Sequence, residues 1–255
     1  MKLTRILAAA SAIVALASSM ALATPSGQIW IPSTDVKGFK EVNISVDNYI
    51  RLSDAANAGP NYYDLGVTVG VLPFENFKIE VGADYYTDNL GSASNQAKHP
   101  MLFNFKAGTP EDAFGIKGLP AFAAGMYGIG TFDRGATGGN TMQNIAYGLV
   151  AKTLPVVGRI SVGGYNGAEK QFGKKLNNGI LASWDRTMTE ISDKLWLAAD
   201  YMSGRNYNGS FNFGGSWAFS KQVSVLVGMN IYNPFQTTLY GGKPTFTTQL
   251  DINLP

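Results

Sequence analysis

From residue 42 onward, apolar and polar positions alternate in short runs. VNISVDNYIR sets Val42, Ile44 and Val46 on one face and Asn43, Ser45 and Asp47 on the other. YYDLGVTVGV opposes Leu65, Val67 and Val69 to Asp64, Gly66 and Thr68, and KIEVGADYYT opposes Ile79, Val81 and Ala83 to Glu80, Gly82 and Asp84. The chain closes on FTTQLDINLP, where Phe246, Leu250, Ile252 and Leu254 face away from Gln249, Asp251 and Asn253. A period of two marks a strand lying between two different environments. Twelve such segments can be counted, the last opening at Phe246. Each approaches the 9–11 residues of a tilted transmembrane strand. Short turns such as LPFENF and LPVVG alternate with long polar loops such as DNLGSASNQAKHP and DRGATGGNT. Every long loop falls on the same end, and an even strand count returns the C-terminus to the side where the first strand began.

Two architectures use such strands. A soluble sandwich or lipocalin-like barrel turns its apolar faces to a core. A transmembrane barrel turns them to lipid and keeps a polar lumen. Here the apolar faces are nearly free of charge, and the opposite faces mix Gly, Ala and Ser with single charges. In NIAYGLVAKT the same rule sends Ile145, Tyr147, Leu149 and Ala151 outward and Lys152 inward. Aromatics at strand ends (Tyr49, Tyr62, Tyr63, Tyr85, Tyr86, Trp184, Tyr201, Trp217, Phe219 and Tyr232) match interfacial girdles. The expected fold is all-β: an antiparallel up-and-down transmembrane barrel of about twelve strands over residues 41–255.

The N-terminus has another character. MKLTRILAAASAIVALASSMALA carries Lys2 and Arg5, an apolar run and a small-residue cleavage site at Ala21–Ala23. Residues 1–23 are read as a secretory signal peptide, with the mature chain starting at Thr24. Residues 24–40, including QIWIPSTD, form a periplasmic or lumen segment that could plug the barrel.

Composition narrows the function. Without residues 1–23 the chain has eighteen basic and eighteen acidic residues, so the slightly basic character of the whole belongs to the leader. A neutral chain is a poor ligand for nucleic acid. Cysteine is absent, so no disulfide or thiolate chemistry is available, and a single histidine excludes multi-histidine zinc sites. No metal site or other cofactor is expected.

The signal peptide, the alternating segments and the amphipathic last strand resemble those of Gram-negative outer-membrane β-barrel proteins. The resemblance spans the whole chain, but specifies an architecture rather than an activity. It implies outer-membrane lipid, lipopolysaccharide and the barrel-assembly machinery as partners. Twelve-stranded members of that class include small-solute channels and a phospholipase. One departure is the ending Asn253-Leu254-Pro255, where such proteins usually finish on an aromatic residue. Pro255 is tolerable if it lies past the membrane edge.

The enzyme reading needs a nucleophile beside an oriented base. The one histidine, His99, stands on a loop, and Met101 occupies the position where the phospholipase resemblance would want Ser. No catalytic residue is assigned. The candidate residues are instead lumen charges that would set selectivity: Arg51, Asp64, Glu80, Asp84, Lys106, Lys152, Arg159, Asp200 and Asp251, with Asp47, Asp185 and Lys194 also placed inward. Segregated across the lumen, they would impose a transverse field on a solute; interleaved, they would close it with salt bridges. The function expected is passive diffusion of small solutes through a narrow polar lumen. The rival is a closed barrel acting through its loops, its lumen filled by ion pairs and by Tyr86, Tyr127, Tyr165 and Trp196. A channel for hydrophobic compounds would need a lateral opening or an apolar constriction, neither of which can be read from the sequence.

Overall fold

A computed structural model of the chain describes residues 26–55, 58–135, 139–233 and 242–255. The proposed signal peptide and mature start lie outside the described residues. Twelve strands run in chain order: β1 Val42–Arg51, β2 Tyr62–Gly70, β3 Lys78–Asp88, β4 Met101–Thr109, β5 Ala121–Gly130, β6 Ile145–Leu154, β7 Gly158–Asn166, β8 Asn178–Thr187, β9 Leu195–Met202, β10 Ser210–Ala218, β11 Val223–Tyr232 and β12 Thr245–Leu254. Each is antiparallel to its neighbours, and β12 returns to β1 to close the barrel. The seam pairs Val42 with Leu254 through to Arg51 with Thr245. Closure leaves no strand edge, which is the condition for spanning lipid with strands. Pro255 follows the last strand and takes no part in the ladder.

Side-chain parity explains the exterior. Leu65, Val67, Val81, Phe103, Phe105, Val162, Phe213 and Val227 are all exposed on the outside. In water such a belt would be a large apolar patch; around a closed barrel it is the lipid-facing band of an outer-membrane protein. Tyr63, Tyr85, Tyr201, Trp217 and Phe219 are also exposed. The other expected girdle residues divide. Tyr49 and Tyr232 are buried inside, and Tyr62 stacks on Tyr86 at 5.4 Å on the lumen face of β2 and β3. They share the parity of Asp47 and Asp64, so a place near a strand end did not put them against lipid.

Two strands depart from the simple alternation. Along β4–β5 the register runs Phe103 to Ile129 and then Phe105 to Met126, so β5 carries an extra residue there. Gly128, at φ +62°, takes up that bulge. In β6 the expected faces are reversed. Ile145, Tyr147, Leu149 and Ala151 point inward and are buried. The face bearing Ala146, Gly148 and Val150 meets lipid, because β6 is apolar on both sides and the inner set has an apolar partner in the lumen.

Val162 lies at the middle of β7 and is 50% exposed on the outer face. Val162→Arg should lower folding stability in lipid vesicles by about 2–4 kcal/mol, the cost of a cation at the bilayer midplane. Urea titration of vesicle-folded protein would measure it.

Candidate functional site

The N-terminal segment lies in the lumen. Gly27 bridges Pro32, and the Gln28 N–H donates to the Ile31 carbonyl at 2.7 Å, making a tight hairpin. Ile29 and Ile31 at its tip are each 1% exposed. At the barrel mouth the segment runs along β2: the Lys40 N–H donates to the Gly70 carbonyl, and the Gly70 N–H to the Glu41 carbonyl. A side chain at Gly70 would strike the Gly38 carbonyl, so this close passage needs glycine.

Asp200 of β9 holds the tip. Its Oδ2 accepts the Ile29 N–H at 2.8 Å and the Trp30 N–H at 3.0 Å, and its Oδ1 accepts Asn212 Nδ2 at 2.7 Å. The residue is 1% exposed, so these donors stand in for water around a buried carboxylate. Across the lumen, Gln249 Nε2 donates to the Ile29 carbonyl at 2.7 Å. The Trp30 ring meets Tyr49 and Tyr232 edge-on at 5.2 and 5.8 Å, and its Nε1 donates to the Asn208 carbonyl.

Charged contacts secure the lower half. Arg159 of β7 binds Asp35 of the segment through Nη1 at 2.7 Å and Asp185 of β8 through Nε at 3.0 Å. Gln28 Nε2 donates to the same Asp185 at 2.8 Å. Lys106 of β4 pairs with Glu80 of β3 at 3.1 Å and donates to the Ser26 carbonyl. Glu80 also accepts the Lys37 N–H at 2.7 Å, while Lys37 Nζ reaches Asn253 on β12. Partial burial acts to raise the Asp35 carboxyl, but the Arg159 guanidinium beside it prevails and holds it below the usual aspartate value. Burial lowers the Lys37 ammonium, against the pull of Asp251 and Glu80.

The hairpin divides the lumen. On the β6–β9 side, Ile31 packs with Ile145, Tyr147, Leu149, Tyr165, Leu181 and Met202. This apolar cluster was not legible in the sequence, and it shares its wall with the polar contacts of Arg159, Asp185 and Asp200. On the other side, Asp47, Asp64, Asp84 and Asp251 line an inner cavity of about 210 Å³. Asp251, on the buried face of β12, accepts Asn43 Nδ2 at 3.2 Å. A vestibule of about 450 Å³, bordered by Asp35, Lys37, Lys78 and Lys221, adjoins the inner cavity at Ser26.

The remaining sequence candidates sit elsewhere. Arg51 reaches the upper rim, where Nη1 donates to the Lys243 carbonyl at 2.6 Å, Nε donates to the Pro60 carbonyl at 3.0 Å, and the guanidinium lies over Tyr232. It ties two loops to the barrel. Lys152 was expected inward. The reversed face of β6 puts it at the turn end instead, paired with Glu111 at 2.8 Å and Asp112 at 3.5 Å. Lys194 is exposed in the turn before β9 rather than in the lumen. His99 stacks on Phe132 with ring centroids 3.8 Å apart.

The docking set Gln28, Asp35, Lys37, Asn212 and Gln249 was not singled out in the sequence. Its one local signal is QIWIPSTD, an apolar-aromatic run followed at once by turn residues.

No protein-family model and no curated protein matches this chain. Among solved structures it is similar to an outer membrane channel from Pseudomonas putida F1, at 9% identity and a TM-score of 0.48, over 86% of this chain and 96% of that one. It is also similar to outer membrane phospholipase A from Escherichia coli, at 11% identity and a TM-score of 0.43, over 86% and 98%. The calcium-bound dimer of the Salmonella typhi outer membrane phospholipase gives 12% identity and a TM-score of 0.41, over 85% and 90%.

Asp200→Ala should undock the hairpin tip. Hydrogen bonds to a charged group contribute about 1.5–3 kcal/mol, so protection of the Ile29 and Trp30 amides should fall roughly 10- to 100-fold in hydrogen exchange. Acid should loosen the lower contact. Because the Asp35 value is lowered in the folded state, its stabilising effect is present above the ordinary aspartate range and lost as pH falls through the lowered value. Asp35→Asn should abolish this acid response in the exchange of the amides of residues 33–37.

Proposed function

We propose that the protein is an outer-membrane channel for the passive diffusion of small polar solutes, kept narrow by its own N-terminal hairpin. One observation carries the reading. The space left beside the hairpin is lined by Asp47, Asp64 and Asp84, which form no ion pair among the described residues, whereas Lys106 and Arg159 are both engaged by carboxylates. A structural filling would neutralise its charges; a conducting path keeps some available to a solute. Lys106 and its partner Glu80 line the same space, so the two signs are not segregated across the lumen; the acidic groups left outside these pairs favour cations. A catalytic reading finds little to build on, since His99 is stacked against Phe132 and Met101 stands where a serine would be needed.

The hairpin itself favours the rival reading of a closed barrel that acts through its loops. Its tip residues are buried and its contacts reach β1, β3, β7, β8, β9, β11 and β12.

Single-channel recording of the refolded full chain in a planar bilayer separates the two. The channel reading expects small discrete steps with a cation-directed reversal potential. Asp84→Asn should move that potential toward zero, and Asp200→Ala should enlarge the steps by loosening the hairpin. Silence from an inserted, heat-modifiable, β-rich barrel would instead establish the closed reading.

A further inference from the structure

β1 and β2 place Asp47 and Asp64 directly opposite each other across the ladder. Like charges in that position oppose pairing. The next strand adds a third carboxylate, Asp84, whose register partner on β2 is Gly66, two residues along the same face from Asp64. A methyl group at Gly66 would lie 2.9 Å from Asp84 Oδ1. The missing side chain lets the Asp84 carboxylate lean over β2, toward the other two. Among the described residues, only Asp84 of the three receives a side-chain hydrogen bond, from Asn104 Nδ2 at 2.7 Å. Asp64 Oδ1 is sealed from solvent and has no donor among the described residues. A carboxyl oxygen enclosed without a partner, beside two further carboxyl groups, marks a deficit of donors and counter-charge, without which the three do not ionise together. The same three residues line the 210 Å³ cavity together with Trp30, Tyr49 and Tyr127, and with Lys106, whose charge is taken up by Glu80.

We propose that this cavity is a binding site for a small organic cation carrying two separated nitrogen centres, such as a short diamine. The inference rests on the channel reading only for the ligand's route, and it names the class of solute. The deficit calls for positive charge. A bare metal ion is a poor fit: nowhere among the described residues do three Asp, Glu, His or Cys side chains converge closely enough to hold one. Calcium wants six to eight oxygens at about 2.3–2.6 Å. Here the carboxylates come from three successive strands spaced about 4.8 Å apart. An elongated cation can give its N–H groups to different carboxylates, lay its methylenes on the aromatic rings, and gain from the ring faces. The cavity is smaller than the roughly 300–1,000 Å³ of drug-sized pockets, which restricts the ligand to a short molecule.

Calorimetric titration of the refolded full chain in detergent micelles with 1,4-diaminobutane tests the assignment, with magnesium and calcium chloride in parallel. The expected result is saturable one-site binding of the diamine, weakened at least tenfold in Asp64→Asn and in Asp47→Asn, with no competition from either metal at equal concentration. Asp84→Asn is the second variant should the others fold poorly; heat-modifiable mobility shows which barrels are intact. Absence of saturable diamine binding to an intact barrel would overturn the inference, as would binding unaltered by all three substitutions. Tight binding of a divalent ion in place of the diamine would overturn it too. Binding without conductance would sink the channel reading and leave this site standing. Conductance without binding would do the reverse.

Discussion

A strand in hydrocarbon has no water to take up its backbone amides, so every N–H and C=O must find another strand. The pairing of β1 with β12 meets that requirement here, and the rest of the architecture follows from it. Once the sheet is a ring, each strand has one face against lipid and one face inside. The outside can be uniform and apolar. The inside of a twelve-strand ring is too wide for wall side chains alone to fill, so its content becomes a separate problem.

The chain solves this with its own N-terminal residues. The hairpin tip presents backbone N–H groups to Asp200 and a carbonyl to Gln249, which satisfies its polar groups within the lumen. Ile31 then faces β6–β9, where Ile145, Leu149, Leu181 and Met202 complete a small core, while Ile29 packs with Ala198 and Leu226 and Trp30 meets Tyr49 and Tyr232. What is left over lies on the opposite wall, where the carboxylates stand. Packing on one side and open charged space on the other are thus two results of one hairpin placement.

Much of the barrel was legible because β1, β2, β3 and β12 carry charge on one face only, and charge identifies the side away from lipid. The twelve strands and the alternation of long and short connections follow from that rhythm. β6 was not legible for the same reason in reverse: Ile145 and Leu149 on one face and Val150 on the other are all acceptable to lipid, and only the presence of Ile31 inside settles the matter. Lys152 was drawn into the error with its strand. The site was less readable than the fold. Glu80 and Asp84 sit four residues apart on one strand, yet one is neutralised by Lys106 and the other is not. That difference depends on the neighbouring strand's register and on the path of residues 26–40, which have no periodicity to read.

Two of the hairpin segment's contacts span nearly the whole chain: Ile29 with Gln249, and Lys37 with Asn253, each more than two hundred residues apart in sequence. Neither can form before the final strand has been laid into the ring. Contacts of such long range are the last to be gained in folding, since loop closure must precede them. A nascent barrel still missing β12 therefore offers the segment a half-built berth, with Asp200 and Arg159 in place and the opposite wall absent. Seating of the amino-terminal residues thus registers that the carboxyl-terminal ones have arrived, and the molecule carries within itself a mark of its own completed assembly.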